Sequence, residues 1–194
     1  MIASLLLSSC TKNDDTTLVL LGTESYVADI HNVIPDTLIN TYTTHVGEIN
    51  HGYIPPKVEG SFVIDPMKRV YSNVAGWSLN GTQPPVRFTI SQQHNSVARI
   101  VMKTDISESV IDTVYIWGRN DDFTVYFQEN LTDDIFGARI KRGIIMTGSM
   151  SDDVIKNLYY ANIIIDVEND PSGDVARPGQ IFIFKDGDNI TAGE

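Results

Sequence analysis

The chain has 194 residues, of which 42% are apolar and 20% charged, a composition typical of one globular domain with a buried core. Its 25 acidic and 14 basic residues give a net charge of −11. No cluster of Lys or Arg stands out, which argues against nucleic acid as a partner because phosphate binding needs a basic surface. The single cysteine, Cys10, excludes an internal disulfide and a multi-cysteine zinc site.

The N-terminus carries a short apolar run, two small residues, Cys10 and then an acidic stretch, Lys12–Asp15. The segment Leu7–Cys10 resembles a bacterial lipoprotein lipobox. This resemblance implies cleavage before Cys10, acylation of Cys10, and attachment to the membrane through that lipid. The acidic stretch resembles the one that follows the acylated cysteine in surface-exposed Bacteroidetes lipoproteins, which implies the outer membrane and surface exposure. Residues 1–23 are therefore predicted to be signal and flexible tether, and residues 24–194 a single domain.

Hydrophobic spacing predicts one helical region, over Glu24–Val46. Pro35 is expected to break it, because proline lacks an N–H group and clashes with the preceding turn. A second short helix is predicted to begin at Pro35 and Asp36 and to end at Gly47, a favourable capping residue. Its apolar stripe predicts that the pair of helices packs on a larger body.

From Gly60 onward the pattern changes from the helical period to alternation, which is typical of strands. Short spacing without helical patterns between the strands predicts an antiparallel sandwich or barrel. The predicted strands are Gly60–Asp65, Arg69–Leu79, Val86–Gln92, Val97–Lys103, Ser109–Trp117, Asp122–Gln128, Phe136–Ser149, Leu158–Glu168 and Gln180–Lys185.

The triplet Gly60-Ser61-Phe62 at the start of this meander is similar to the Gly-x-Trp that opens lipocalin-like, or calycin, barrels. The resemblance implies a mainly β fold: an antiparallel, eight-stranded up-and-down barrel with an N-terminal helical element. A β-sandwich is the alternative. The chain as a whole also resembles Bacteroidetes lipoproteins of unknown function, a likeness that implies no activity.

Aromatic side chains alternate on two neighbouring predicted strands: Tyr115 and Trp117 on one, Phe123 and Phe127 on the next. This pattern favours one bulky apolar face that forms the barrel core. The alternative is a cavity lining that binds a small apolar ligand, since an eight-stranded barrel is wide enough for one. These four residues are the predicted ligand-binding residues.

The sequence offers no clear catalytic or metal motif. The four histidines show no metal-ligand spacing, and neither a metal nor another cofactor is predicted. Paired carboxylates fall mainly at predicted turns, and Asp186–Asn189 is better explained as a turn than as a calcium loop. The sequence thus predicts a non-enzymatic envelope lipoprotein that binds a small apolar ligand or a glycan. The alternatives are a structural or interaction subunit with a filled barrel and, less favoured, a hydrolase that uses a carboxylate pair.

Overall fold

The structure, a computed structural model, describes residues 29–76, 79, 81–105, 107–133, 136–170, 172–173 and 175–191. Two helices open the described chain, α1 (Ile30–Val33) and α2 (Asp36–Val46). The predicted break at Pro35 is confirmed, because Pro35 occupies the N-cap of α2. Gly47 ends α2 as predicted, with its N–H donated to the Thr43 carbonyl at 2.9 Å. The predicted helical residues 24–28 lie outside the described residues.

All described strands belong to one antiparallel sheet. The nine predicted strands are confirmed, with shifted ends, and two further strands of two residues each are added. The strands are β1 (Gly60–Ile64), β2 (Met67–Ser72), β3 (Thr82–Gln83), β4 (Val86–His94), β5 (Val97–Lys103), β6 (Glu108–Arg119), β7 (Asp122–Thr132), β8 (Arg139–Ser151), β9 (Val154–Glu168), β10 (Ile181–Asp186) and β11 (Ile190–Thr191).

The sheet runs in the order β1-β4-β5-β6-β7-β8-β9-β10-β2-β3 and is curled into a half-barrel, while β11 pairs with β9 off this path. The mainly β, antiparallel, up-and-down architecture is therefore confirmed. The predicted count of eight strands is wrong, since ten described strands lie on the path. No described pairing joins β1 to β3, so the path of hydrogen-bonded strands in the described chain does not close.

Alternation along the strands gives the sheet two apolar faces. The inner face forms a contiguous buried cluster to which nearly every long strand contributes, including Phe62, Phe88, Ile100 and Ile144. The outer face of β6–β10 forms a second cluster, and the helices cover it. Because both faces of this half of the sheet are buried, its strands are apolar on both sides.

Three contacts hold the helices on the outer face. The hydroxyls of Tyr42 on α2 and Thr147 on β8 lie 2.6 Å apart in a buried hydrogen bond. The Gln128 side chain donates to the Val33 carbonyl at the end of α1. A Cβ atom at Gly143 would collide with the tip of Ile34, so the glycine makes room for α1.

The segment between α2 and β1 returns across the outer face and is fixed to the β6–β7 hairpin. Asn50 donates from its backbone N–H to the Thr124 hydroxyl and from its side chain to the Phe123 carbonyl, both at 3.0 Å. The Gly118 N–H donates to the Gly52 carbonyl, also at 3.0 Å. None of the helices in the described ranges is long and apolar enough to cross a membrane.

Candidate ligand site beside the helices

The four aromatic residues predicted to bind ligand do not share a face. Phe123 and Phe127 belong to the inner cluster and are 0% and 1% exposed. Tyr115 and Trp117 lie on the outer face. The predicted common lining is therefore wrong, and its cause is the register of the β6–β7 hairpin.

In that hairpin Arg119 pairs with Asp122 around a two-residue turn, so odd-numbered residues of β6 face even-numbered residues of β7. Tyr115 consequently lies opposite Tyr126, with ring centroids 5.6 Å apart. Phe123 lies opposite Gly118 on the other face. Because side chains alternate across a strand, this register separates the two aromatic pairs.

The inner aromatic residues are packed as core. Phe62 and Phe88 are stacked with ring centroids 5.4 Å apart, and Tyr160 lies 6.1 Å from Phe184. All four rings belong to the same buried cluster as Phe127. The packing of the inner face thus matches the favoured interpretation of this pattern as core.

A concave site lies instead on the outer side, between the helices and the segment that follows them. This helix–loop depression has a volume of about 520 Å³. Three buried isoleucines form its floor, Ile30, Ile39 and Ile49. Its rim is polar and consists of His31, Thr43, Gly47, Glu48 and His51.

Neighbouring groups orient the two imidazoles of the rim. His31 Nδ1 lies 2.6 Å from Asp36 Oδ1, so its Nε2 atom is left for another partner. The His51 ring lies 5.0 Å from the Trp117 ring, which in turn meets Tyr126 edge-on at 5.1 Å. Trp117 is only 9% exposed and therefore supports the rim from below.

His31 falls within the predicted helical region and His51 lies between that region and the first predicted strand, but no feature of the sequence indicates that the fold would bring them to one depression. The floor residues carry no local signal either, because they come from α1, α2 and the following loop. Only the helical stripe that contains Ile30 and Ile39 was visible in the sequence.

A second depression, of about 530 Å³, lies between the loop after β2 and the loop before β10. Among the described residues, Arg177 is the charged side chain of its lining, and the other lining residues are Asn73, Val74, Ala75, Gly173, Pro178, Gly179 and Gln180. The part of its lining that the structure describes has no aromatic or aliphatic floor comparable to the three isoleucines. The helix–loop depression is therefore the better candidate.

The other predicted features are local structure or lie elsewhere. Asp188 Oδ1 accepts the Ile190 N–H at 2.9 Å, which confirms a turn at Asp186–Asn189. Among the residues that the structure describes, no group of three or more His, Cys, Asp or Glu side chains could hold a metal ion. Cys10, the predicted lipidation site, lies outside the described residues.

Comparison of the chain with protein-family models, with curated proteins and with solved structures finds no match in any of the three.

Proposed function

We propose that this protein is a lipid-anchored, non-enzymatic protein of the cell envelope that binds a small amphipathic molecule in the helix–loop depression. The observation that carries the binding function is the combination of an isoleucine floor with a polar rim in a depression of about 520 Å³. Small-molecule sites have volumes of roughly 300–1,000 Å³ and combine apolar walls with a few polar groups.

The lining suggests the chemistry of the ligand. An aliphatic or ring-shaped apolar body fits the floor of Ile30, Ile39 and Ile49, since burial of apolar area is favourable. The polar head of the ligand would meet His31, His51 and Glu48 at the rim. Imidazoles donate or accept hydrogen bonds, so this rim suits a hydroxyl, amide or carbonyl group.

The membrane anchor rests on the lipobox-like segment that ends at Cys10. Residues 11–28 would connect the acylated cysteine to α1, and 18 extended residues span at most about 60 Å. We place the protein at the outer membrane, with its body on the cell surface. The relation to lipocalin-like barrels is part of the same proposal and is supported by the up-and-down meander.

The binding function is tested with the soluble Cys10→Ser protein and the fluorescent amphiphile 1-anilinonaphthalene-8-sulfonate. Thr43→Phe fills the depression, and we expect binding to weaken roughly tenfold, which corresponds to about 1.4 kcal/mol. Thr44→Phe is the matched control, because both threonines donate to the Asn40 carbonyl and Thr44 lies outside the depression. Equal binding by the two variants would refute the site.

The anchor is tested separately by fractionating cells that produce the parent protein or the Cys10→Ser variant. We expect the parent in the membrane fraction with an acyl-modified N-terminal peptide by mass spectrometry. The variant should be released. If the parent protein is not acylated, the proposed anchor is refuted, while the proposed binding site is unaffected.

One observation favours a second function, that of an interaction subunit. Tyr53 and Ile54 are 82% and 84% exposed and lie in the same segment that forms the rim of the depression. Two adjacent exposed apolar side chains suit a protein contact. Crosslinked envelope extracts should then show a partner that Tyr53→Ser/Ile54→Ser abolishes while leaving amphiphile binding intact.

A further inference from the structure

A charged pair lies on the inner face of the half-barrel. Glu129 follows Phe127 by two residues on β7 and therefore faces inward like it, and it pairs directly with Arg142 on β8. Arg142 Nε donates to Glu129 Oε1 at 2.5 Å. The Glu129 side chain is 5% exposed and that of Arg142 is 19% exposed, so the pair is buried with Arg142 on its solvent side.

The wall of the half-barrel is interrupted beside this pair. β6 and β7 pair only from Tyr115–Tyr126 to the hairpin turn. Beyond that point β6 continues paired to β5, while residues 127–132 of β7 continue paired to β8. Among the described strands none covers this edge of β7. Glu129 thus lies where the sheet forks, beside an edge of β7 that no described strand pairs with.

Two acceptors near the pair have no hydrogen-bond partner. The second carboxylate oxygen of Glu129, Oε2, is buried without one, as is Oδ1 of Asn162. Asn162 pairs with Ile144, two residues along β8 from Arg142, so the two acceptors belong to adjacent rows of the same face. A buried polar atom without a partner destabilises the protein, and a ligand that donates hydrogen bonds to it would remove this cost.

Charge and neighbours restrict the class of ligand. Glu129 and Arg142 neutralise each other, so a second charge of either sign would meet repulsion from one of them. Arg142 has four N–H groups besides the one given to Glu129, and these can donate to a ligand oxygen. Tyr160 adds an aromatic ring on the same face. Its buried hydroxyl is within electrostatic reach of both charges, and burial raises the pKa of Tyr160 to about 12, so it stays protonated.

We propose that Glu129, Arg142, Tyr160 and Asn162 form a second binding site, for a neutral saccharide that enters through the fork between β6 and β7. Vicinal hydroxyls both donate and accept hydrogen bonds, as this set of two acceptors and an arginine requires, and a pyranose ring packs on an aromatic face. The ligand is a free monosaccharide or the end of a glycan chain. Binding displaces Arg142 outward from its position over Glu129. This site is independent of the helix–loop depression, which lies on the other face of the sheet.

The test is saturation-transfer NMR, which measures the transfer of saturation from the Cys10→Ser protein to a sugar. The sugars are glucose, galactose, mannose, N-acetylglucosamine and their methyl glycosides. Concentrations on the order of 10 mM detect dissociation constants in the millimolar range. We expect transfer to at least one sugar. Transfer to the methyl glycoside as well indicates the end of a glycan chain, and transfer to the free sugar alone indicates a monosaccharide.

Two variants locate the binding. Glu129→Leu/Arg142→Met replaces the pair together, because removing one partner leaves a buried charge. Asn162→Leu removes one acceptor and provides a second test of the site if the double variant does not fold. Each should weaken binding at least tenfold. The matched control is Glu168→Gln, which breaks the exposed Arg139–Glu168 pair at the same end of β8 and β9 and should leave binding unchanged.

No transfer to any sugar, or equal transfer in the parent and all variants, would overturn the proposal. In the first case the pair is structural; in the second the sugar binds elsewhere. Thr43→Phe provides a further distinction, because it should weaken amphiphile binding and leave sugar binding intact. Failure of one site is thereby separable from failure of the other.

Discussion

Tyr42 and Thr147, 105 residues apart in the chain, join helix α2 to strand β8 through hydroxyl groups 2.6 Å apart. Both residues are buried, and burial holds the pKa of the Tyr42 phenol well above its usual range. Tyr42→Phe leaves the Thr147 hydroxyl buried without this partner, and we expect a loss of about 1 kcal/mol in the free energy of unfolding.

Urea denaturation measures this loss, with Tyr53→Phe as the control because Tyr53 is 82% exposed. The control should match the parent. A Tyr42→Phe protein as stable as the parent would show that the hydroxyl pair contributes nothing to the attachment of the helix.

Gly52 crosses β6 so closely that a Cβ atom would collide with the backbone carbonyl of Gly118. Its φ of +154° is also a conformation that other residues rarely adopt. Gly52→Ala should therefore lower the free energy of unfolding by roughly 2–4 kcal/mol. Gly137→Asn is the comparison, since nothing lies within 4 Å of a Cβ at Gly137 and asparagine tolerates its φ of +70°.

Thermal unfolding followed by circular dichroism compares the two glycine variants. A drop in midpoint confined to Gly52→Ala is the expected result. Because the displaced segment carries Ile49 and His51, Gly52→Ala should also weaken amphiphile binding. Unchanged binding would mean that the crossing does not shape the depression.

Asp186 is 1% exposed, and burial raises its pKa despite the hydrogen bond that it accepts from Thr191 at 2.5 Å. The folded protein consequently holds this proton to higher pH than the unfolded chain does. Stability associated with Asp186 is present below the ordinary aspartate pKa of 3.8 and is lost as the pH rises through the higher folded value.

Asp186→Asn should remove this dependence, because the neutral amide does not ionise. Denaturation midpoints between pH 3 and pH 7 should fall less with rising pH in the variant than in the parent. Asp153→Asn, at an exposed turn, serves as control and should follow the parent curve. Parallel curves for all three proteins would contradict the role of Asp186.

The burial of the Glu129–Arg142 pair predicts an effect on the free energy of unfolding that is separate from ligand binding. Arg142→Met alone leaves the Glu129 carboxylate buried without its cation and should cost roughly 3–5 kcal/mol. Glu129→Leu/Arg142→Met should be close to the parent, because an apolar pair needs no desolvation of charge. A double-mutant cycle by chemical denaturation measures both, and additive losses would show that the two side chains are not coupled.

Much of the secondary structure could be predicted because its causes are local. Proline breaks a helix wherever it occurs within one, as Pro35 does here, and the change to an alternating pattern after Gly60 indicates the longer strands, although the second is less regular. The two additional strands, Thr82–Gln83 and Ile190–Thr191, are too short to show a period. Their positions depend on pairing with β2 and β9.

The division of the aromatic residues between two faces follows from the predicted hairpin itself. In the predicted hairpin, with strands ending at Trp117 and beginning at Asp122, Phe123 already falls opposite Ile116. The two aromatic pairs must then face opposite sides. The candidate sites were not accessible in this way. The helix–loop depression depends on how α1, α2 and the following segment pack together, and the Glu129–Arg142 site depends on the register of three strands.

The turn at Asp65–Pro66 has a consequence for how the chain reaches its final state. It joins β1 to β2, which are consecutive in sequence but pair with β4 and with β10 towards opposite ends of the strand order. On one side Met67 pairs with Gln83 of β3, but on the other its partner is Asp186, near the far end of the chain. This pairing raises the contact order, and a higher contact order slows folding. During synthesis, the edge of β2 that faces β10 stays unpaired until nearly the whole polypeptide has been made. We therefore expect the nascent chain to need protection from aggregation until β10 has been synthesised.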